Sequence, residues 1–357
     1  MWEWLQQLSN LPGIPGHERR VAAYIKDQVT PLVDHVDQDN LGSVIATKKG
    51  TSDITIMLSA HMDEVGFLIS SIESSGMIRM QPVGGWWAHV LLAQVMTITT
   101  RKGTSIEGVI GAKPPHGMSV EARNRVLDLK DLFLDIGATS KEDVLQLGIQ
   151  IGDMVTPTIK ARRLNDSKLL LGKAWDDRVS CGVQLEVLKR LQKETLVPNV
   201  VAAFTVQEEN GLRGAKTASY RIQPDIALAL DVTMSNDIPG VPKQDTALGK
   251  GVALSLMDAT VIAHRGLFDH IETVAKDASI PYTYDLMVVG GTDAGEIHKQ
   301  RDGVITMTLS LPCRYFHSHT SLVHEDDIEA MVQLIVAYLK QFKVEQLPAL
   351  IASKFER

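Results

Sequence analysis

The chain has 357 residues, 44% of them hydrophobic and 22% charged, with a formal net charge of −7. That balance describes a globular chain long enough for two domains and excludes a disordered or fibrous one. A modest negative charge without long basic runs argues against nucleic acid or an anionic membrane as partner and points to small molecules or peptides.

A short helix opens the chain, and Pro12-Gly-Ile-Pro-Gly16 makes a turn. Gly16-His17-Glu18 then leads into a helix with Val21, Ala22, Ile25 and Val29 at helical spacing. Residues 33–36, a turn at 39–42 and residues 43–47 read as a hairpin-like pair, and 54–60 as a buried strand that ends in His61-Met62-Asp63-Glu64-Val65-Gly66. From about 66 to 163 the texture changes to short β-rich runs broken by Gly and Pro, including 77–82, 95–100 and 106–110. Only 121–133 and 141–147 offer a helical pattern there. An inserted small β-domain is expected, giving 1–66 and 164–357 as two parts of one α/β domain around an insert at 67–163.

The α/β alternation resumes at 169–175, followed by Asp176-Asp177-Arg178 and a helix over about 179–193. Residues 200–206 are apolar but for Thr205, which suits a fully buried strand, and they deliver Glu208 and Glu209 to the loop beyond. A small-residue helix comes next, near 212–219, and a strand at 225–230 runs into Asp231. After a Pro/Gly-rich loop come strand and helix pairs through 252–257, 267–278, 282–286 and 304–309. The last long helix, near 325–342, carries Ile328, Met331, Val332, Ile335, Val336 and Leu339 on one face. The N-terminus lacks the pattern of a secretory signal and no segment is long and apolar enough to span a bilayer, so a cytoplasmic location is expected.

Adjacent glutamates repel unless a cation lies near them, and a divalent metal is the usual solution. Taken alone such a pair is a solvated loop. Here other apolar runs, or their immediate ends, carry His61, Asp176, Asp231 and His317. Imidazole and carboxylate donors without thiolate describe a hydrolytic site for zinc, cobalt or manganese, and five donors suit two ions better than one. Asp63, two residues after His61, could hold the far nitrogen of that imidazole, or could be a turn aspartate. Asp177 competes with Asp176, or caps the next helix, or pairs with Arg178. His319 competes with His317, and His116 either reaches the site from the insert or is solvated. Cys181 and Cys313 stand far apart with no C-x-x-C spacing and read as small core residues.

His61-Met-Asp-Glu-Val-Gly66, Lys173-Ala-Trp-Asp-Asp-Arg178, Val206-Gln-Glu-Glu209 with Gly211-Leu-Arg-Gly214, Leu230-Asp-Val232, Gly290-Gly-Thr-Asp-Ala294 and Arg314-Tyr-Phe-His-Ser318 occur in one order along the chain. Together they resemble the glutamyl aminopeptidase and tetrahedral aminopeptidase family of dinuclear metallopeptidases. In the insert, Val83-Gly-Gly-Trp86 and Lys113-Pro-Pro-His116 look closest to the glutamyl branch. The resemblance implies an α/β fold, a zinc-peptidase-like mixed sheet flanked by helices, with an inserted β-barrel-like domain used for dimerisation. It also implies two divalent ions per subunit held by His61, Asp176 as bridge, Glu209, Asp231 and His317, and a metal-bridging water with Glu208 as general base. Asn210 stands where the family often has Val, and Phe316 where it often has Ile or Met; neither removes a group the chemistry needs. Dimers assembling to a dodecamer are the expected self-association, and peptides the expected substrates.

Thr292 and Asp293, beside two glycines, are candidate substrate contacts, as are Arg314 and His116. A glutamyl or aspartyl preference needs a cation such as Arg213 or Arg314 in the side-chain pocket. Broad or leucine-preferring cleavage is the alternative. Glycoside hydrolysis by Glu208 and Glu209 would leave both histidines idle, and a non-catalytic shell-forming binding protein would not need Glu208.

Overall fold

The apolar runs of the central strands are buried on both sides because helices cover both faces of the sheet they form. The computed structural model describes residues 1–165, 167–241 and 244–355. Strands β1 (His35–Gln38), β2 (Val44–Lys48) and β3 (Thr55–His61) come first. After them come β4 (Gly66–Ile72), β5 (Ile78–Val83), β6 (Val95–Thr99), β7 (Ser105–Gly111), β8 (Phe133–Asp135) and β9 (Met154–Pro157). These pair antiparallel and close into a barrel in the order β4-β5-β8-β7-β6-β9. The barrel has its own core, with Phe67, Ile69, Ile78, Met96, Ile98, Leu134 and Val155 inside.

The remaining strands are β10 (Arg162–Arg163), β11 (Leu169–Gly172), β12 (Asn199–Thr205), β13 (Ile226–Met234), β14 (Val252–Met257), β15 (Tyr282–Leu286), β16 (Ile305–Cys313) and β17 (Ser321–His324). A mixed sheet runs β1-β2-β12-β3-β13-β16-β14-β15, and its four central strands, β12, β3, β13 and β16, are parallel. Alternation along β3 sends Ile56, Leu58 and Ala60 to one face and Met57 to the other. The first face packs under the helix Trp175–Leu191, itself covered by the helices Trp2–Asn10 and Glu325–Gln341. The second packs under the helices Arg213–Ile222 and Ala294–Ile297. Among the described residues, no helix is long and apolar enough to cross a membrane.

Three local differences from the sequence reading have simple causes. The helix expected over 121–133 is confined to Val120–Arg123, because the residues after it are largely exposed and Phe133–Asp135 is drawn into the barrel between β5 and β7. The first hairpin strand lies at His35–Gln38 rather than 33–36. Strand β17 was not anticipated; four residues are too few to show a period, and its partner is β11.

One side chain ties the N-terminal segment to the sheet. Arg178 is fully buried and donates through Nε to the Met62 carbonyl, through Nη1 to the Leu8 (2.7 Å) and Leu11 (2.9 Å) carbonyls, and through Nη2 to the Gly13 carbonyl (3.0 Å). Lys173 is buried beside it, bonded to the Leu11 carbonyl and the Glu64 carboxylate, while Glu64 Oε1 also accepts from the Gly13 amide. Desolvation pulls the Lys173 ammonium down to about 8 despite Glu64. Replacing Arg178 by Met keeps apolar volume but orphans a ring of buried carbonyls and leaves Lys173 and Glu64 to balance alone. Arg178→Met is therefore expected to destabilise the fold by about 3–5 kcal/mol, read as a lower urea midpoint than that of the unmodified chain.

Candidate active site

The parallel strands deliver their ends to one edge of the sheet. Thr205 of β12 lies in register with His61 of β3, so the loop after β12 emerges beside that imidazole. Pairing of β3 with β13 stops at Ser59 and Ala229, short of His61 and Asp231. The crevice that opens there lies past the carboxyl ends of the strands, the usual ligand site of open α/β sheets.

Asp176 sits between two imidazoles. Its Oδ1 is 2.9 Å from His61 Nε2 and its Oδ2 is 3.3 Å from His317 Nε2. His317 Nε2 is also 3.4 Å from Glu209 Oε1, and His61 Nε2 is 3.9 Å from Glu208 Oε2. Asp231, nearly buried on β13, lies in one donor group with His61 and Asp177; His61, Asp176 and Glu209 form a second. Within each group the potential ligand atoms lie within 4.8 Å of one another. The structure thus brings His61, Asp176, Glu209, Asp231 and His317 together with Glu208. It places Asp177 deeper: its Oδ2 accepts from the His61 amide at 3.3 Å and its Oδ1 has no partner.

The electrostatics come from crowding like charges in a desolvated place. Burial drives Glu208 and Asp231 well above the ordinary carboxylate range, with Asp231 and Glu209 adding to the first and Asp176 to the second. Burial and Asp176 push Glu209 up to about 8. Burial would raise Asp176 as well, but bonds from His317 and His61 hold it below its usual range. Burial alone would lower both histidines; instead Asp176, with Asp63, keeps His61 well above its usual value, and Asp176, with Glu209, brings His317 to about 10. Oxygen and imidazole donors that face one another, with an orphaned buried carboxylate oxygen among them, fit a divalent cation.

A second set of carboxylates holds the loop after β12. Asp63 accepts the Glu208 amide on Oδ1 (3.1 Å) and the Glu209 amide on Oδ2 (3.0 Å). Glu18 accepts the preceding amide, that of Gln207, at 3.0 Å and the Gly16 amide at 2.8 Å on the same oxygen. Three consecutive amides are therefore fixed by two buried acids. Asp63 also meets His61, but the Nδ1 bond goes to its main-chain carbonyl (3.1 Å), with the carboxylate at 3.6 Å, because both carboxylate oxygens face the loop. On the other side, His317 Nδ1 lies 3.0 Å from the Gly85 carbonyl of the barrel. Trp86 anchors that turn by stacking on Phe67 and donating to the Gly66 carbonyl at 3.1 Å. The only room for this approach is glycine-sized, since a Cβ on Gly85 would sit 3.1 Å from His317 Nδ1. Neither Glu18 nor Gly85 was singled out from sequence as a site residue; the Gly16-His17-Glu18 helix start and the Gly-Gly pair were the signals available.

The expected substrate contacts fare differently. Asp293 is buried under the site, its Oδ2 accepting from Ser59 (2.5 Å) and Thr205 (2.6 Å). Thr292 is buried too, bonded to Asp258 and Thr308. Arg314 forms a two-pronged pair with Asp237 at 2.8 and 2.7 Å, and His116 is exposed on a turn of the barrel. None of these lines the cavity of about 850 Å³ that opens over Glu208, Asp231 and His317. His319 points instead to the Val95 carbonyl at 2.9 Å.

A family model described as M42 glutamyl aminopeptidase matches residues 42–334. The lysyl aminopeptidase of Pyrococcus furiosus is 32% identical over 346 residues, covering 96% of this chain and 97% of that one. Among solved structures, the TET aminopeptidase from the archaeon Thaumarchaeota archaeon SCGC AB-539-E09 superposes with a TM-score of 0.95 at 36% identity over 98% of both chains. The TET1 peptidase of Pyrococcus horikoshii, described as assembling into a tetrahedron or a large octahedral shell, gives 0.85 at 33% identity, over 96% of this chain and 99% of that one. With that match across most of its length, and with the mixed sheet, the barrel and the crevice of histidines and carboxylates in place, the chain belongs to the M42 glutamyl aminopeptidase family.

Proposed function

We propose that the protein is a metal-dependent aminopeptidase that removes N-terminal residues from peptides. The observation that carries this reading is the convergence of Asp176, Glu208, Glu209, Asp231 and His317 on one cavity wall, with His61 buried directly behind Asp176. His61, Asp176, Glu209, Asp231 and His317 would hold two divalent ions, zinc or cobalt, with manganese a further option, and Asp176 would be shared between them. When bound, such ions polarise a carbonyl oxygen and acidify water near neutral pH.

The chain's own residues supply the rest. Glu208, facing the cavity, accepts at a carboxylate oxygen the proton that water loses on attack and returns it to the departing amine nitrogen. Asp63 and Glu18 keep that carboxylate aimed by holding the backbone beneath it. The main-chain carbonyl of Asp63 also accepts from His61 Nδ1, and the Gly85 carbonyl from His317 Nδ1, so both imidazoles turn Nε2 toward Asp176, where a cation would take the place of the proton. Glycoside hydrolysis by Glu208 and Glu209 leaves this arrangement of imidazoles without a purpose. Self-association into a closed shell is carried over from the P. horikoshii relative, and the exposed Trp87, Leu92, Val109 and Ile151 of the barrel suit an interface of that kind.

Metal-stripped protein should be silent on aminoacyl amides and regain activity with zinc, cobalt or manganese on free-amine substrates alone. In that assay Glu208→Gln should lower kcat by about 10²–10⁴-fold at unchanged metal content, and full activity in this variant would refute the assignment of the base. Glu18→Ala should lower kcat by about 10²-fold with little change in KM, and Glu18→Gln, which keeps an acceptor, should recover most of it. Sedimentation of the purified protein should show a particle of many chains; a monomer would remove the shell from the proposal.

A further inference from the structure

The cavity continues from the metal-site residues onto a wall that the proposed chemistry does not use. On β13 the wall is Val232 and Met234, and across from them it is the loop after β15, with Met287, Val288 and Val289. Met234, Val288 and Val289 are 46%, 69% and 77% exposed, a cluster of aliphatic groups held open to solvent at the mouth of the crevice. Exposed apolar patches beside a site of this kind mark a surface that a ligand covers.

Charge on the same wall is already spoken for. Among the described residues Lys299 is the cation there, and its ammonium is paired with Glu296 at 2.9 Å. Asp285 accepts from the Thr233 hydroxyl at 3.0 Å and is largely buried. Arg213 does not reach the wall and Arg314 is committed to Asp237. Among the described residues a carboxylate side chain entering this space would meet no unpaired cation, and an ammonium would have to compete with Lys299 for Glu296 and with Thr233 for the buried Asp285.

We propose that this wall is the side-chain subsite and that it selects an uncharged aliphatic N-terminal residue, of leucine or methionine size, over glutamate, aspartate or lysine. The inference rests on the aminopeptidase reading above. Of the two preferences that the sequence leaves open, acidic and leucine-type, it takes the second, because the described residues of the wall offer no free cation for the first.

The test is a comparison of kcat/KM for the metal-loaded protein on leucyl, methionyl, glutamyl and lysyl chromogenic amides. Leucyl and methionyl amides should exceed the two charged ones by about 10- to 200-fold. Glutamyl or lysyl cleavage equal to or faster than leucyl would overturn the subsite while leaving the aminopeptidase intact; silence on every amide would overturn both. Val288→Lys, a change at a well-exposed position, should then raise the glutamyl-to-leucyl ratio about tenfold by adding the missing partner. A ratio that does not move would show that residue 288 does not wall the subsite and would overturn the assignment.

Discussion

Mutual repulsion among carboxylates in a dry place is the constraint on which this structure turns. Asp63, Asp176, Asp177, Glu208, Glu209, Asp231 and Asp293 gather under one edge of the sheet, with His61 and His317 to offset them. Burial and proximity raise most of these acids, so the arrangement is unfavourable unless cations or protons enter it. The surrounding fold answers by dividing the acids by task. Asp176, Glu209 and Asp231 face the imidazoles or the cavity, whereas Asp63, Asp293 and the more remote Glu18 are turned onto amides and hydroxyls of the scaffold.

Backbone strain marks the corners where this sorting happens. Ala174 before Asp176, Gln207 before Glu208, and His317 itself have positive φ values of 54°, 56° and 55° without being glycine. Each such residue costs about 1–3 kcal/mol. Neighbours make that cost tolerable: the Arg178 cluster pins the start of the long buried helix, the amide clamp pins the Gln207 corner, and the Gly85 carbonyl pins His317. Stability and site geometry are thus coupled through the same few buried polar groups. The wall opposite obeys a different rule, since its aliphatic residues gain nothing until something covers them.

Much of this was legible in the chain because strand ends carry the chemistry. Largely apolar runs at 54–60 and 200–206, broken only by Thr55, Ser59 and Thr205, are readable as buried strands, and His61 and the glutamate pair stand at or just past their ends. The change of texture after Gly66 announces the barrel for a related reason, because short strands need frequent Gly and Pro turns. Contacts made by main-chain atoms left no trace. Nothing in the letters says that the carbonyl of Gly85 meets His317, or that both oxygens of Asp63 are spent on amides. The Gly290-Gly291 pair does line the cavity, as its glycines suggest, but the chain turns inward after it, so Thr292 and Asp293 are bonded to Asp258, Thr308, Ser59 and Thr205 instead of facing a substrate.

The barrel looks detachable, since the chain leaves the sheet after β3 and is back beside it by β11. The Gly85 carbonyl on His317 makes it otherwise. The orientation of that imidazole depends on a turn from the insert, so the sheet alone does not carry the site. A foreign barrel grafted at the same joints would have to bring its own acceptor to that nitrogen, with a turn small enough to lie against the ring. What reads topologically as an insertion is, at the level of a single hydrogen bond, part of the candidate site of the domain it interrupts.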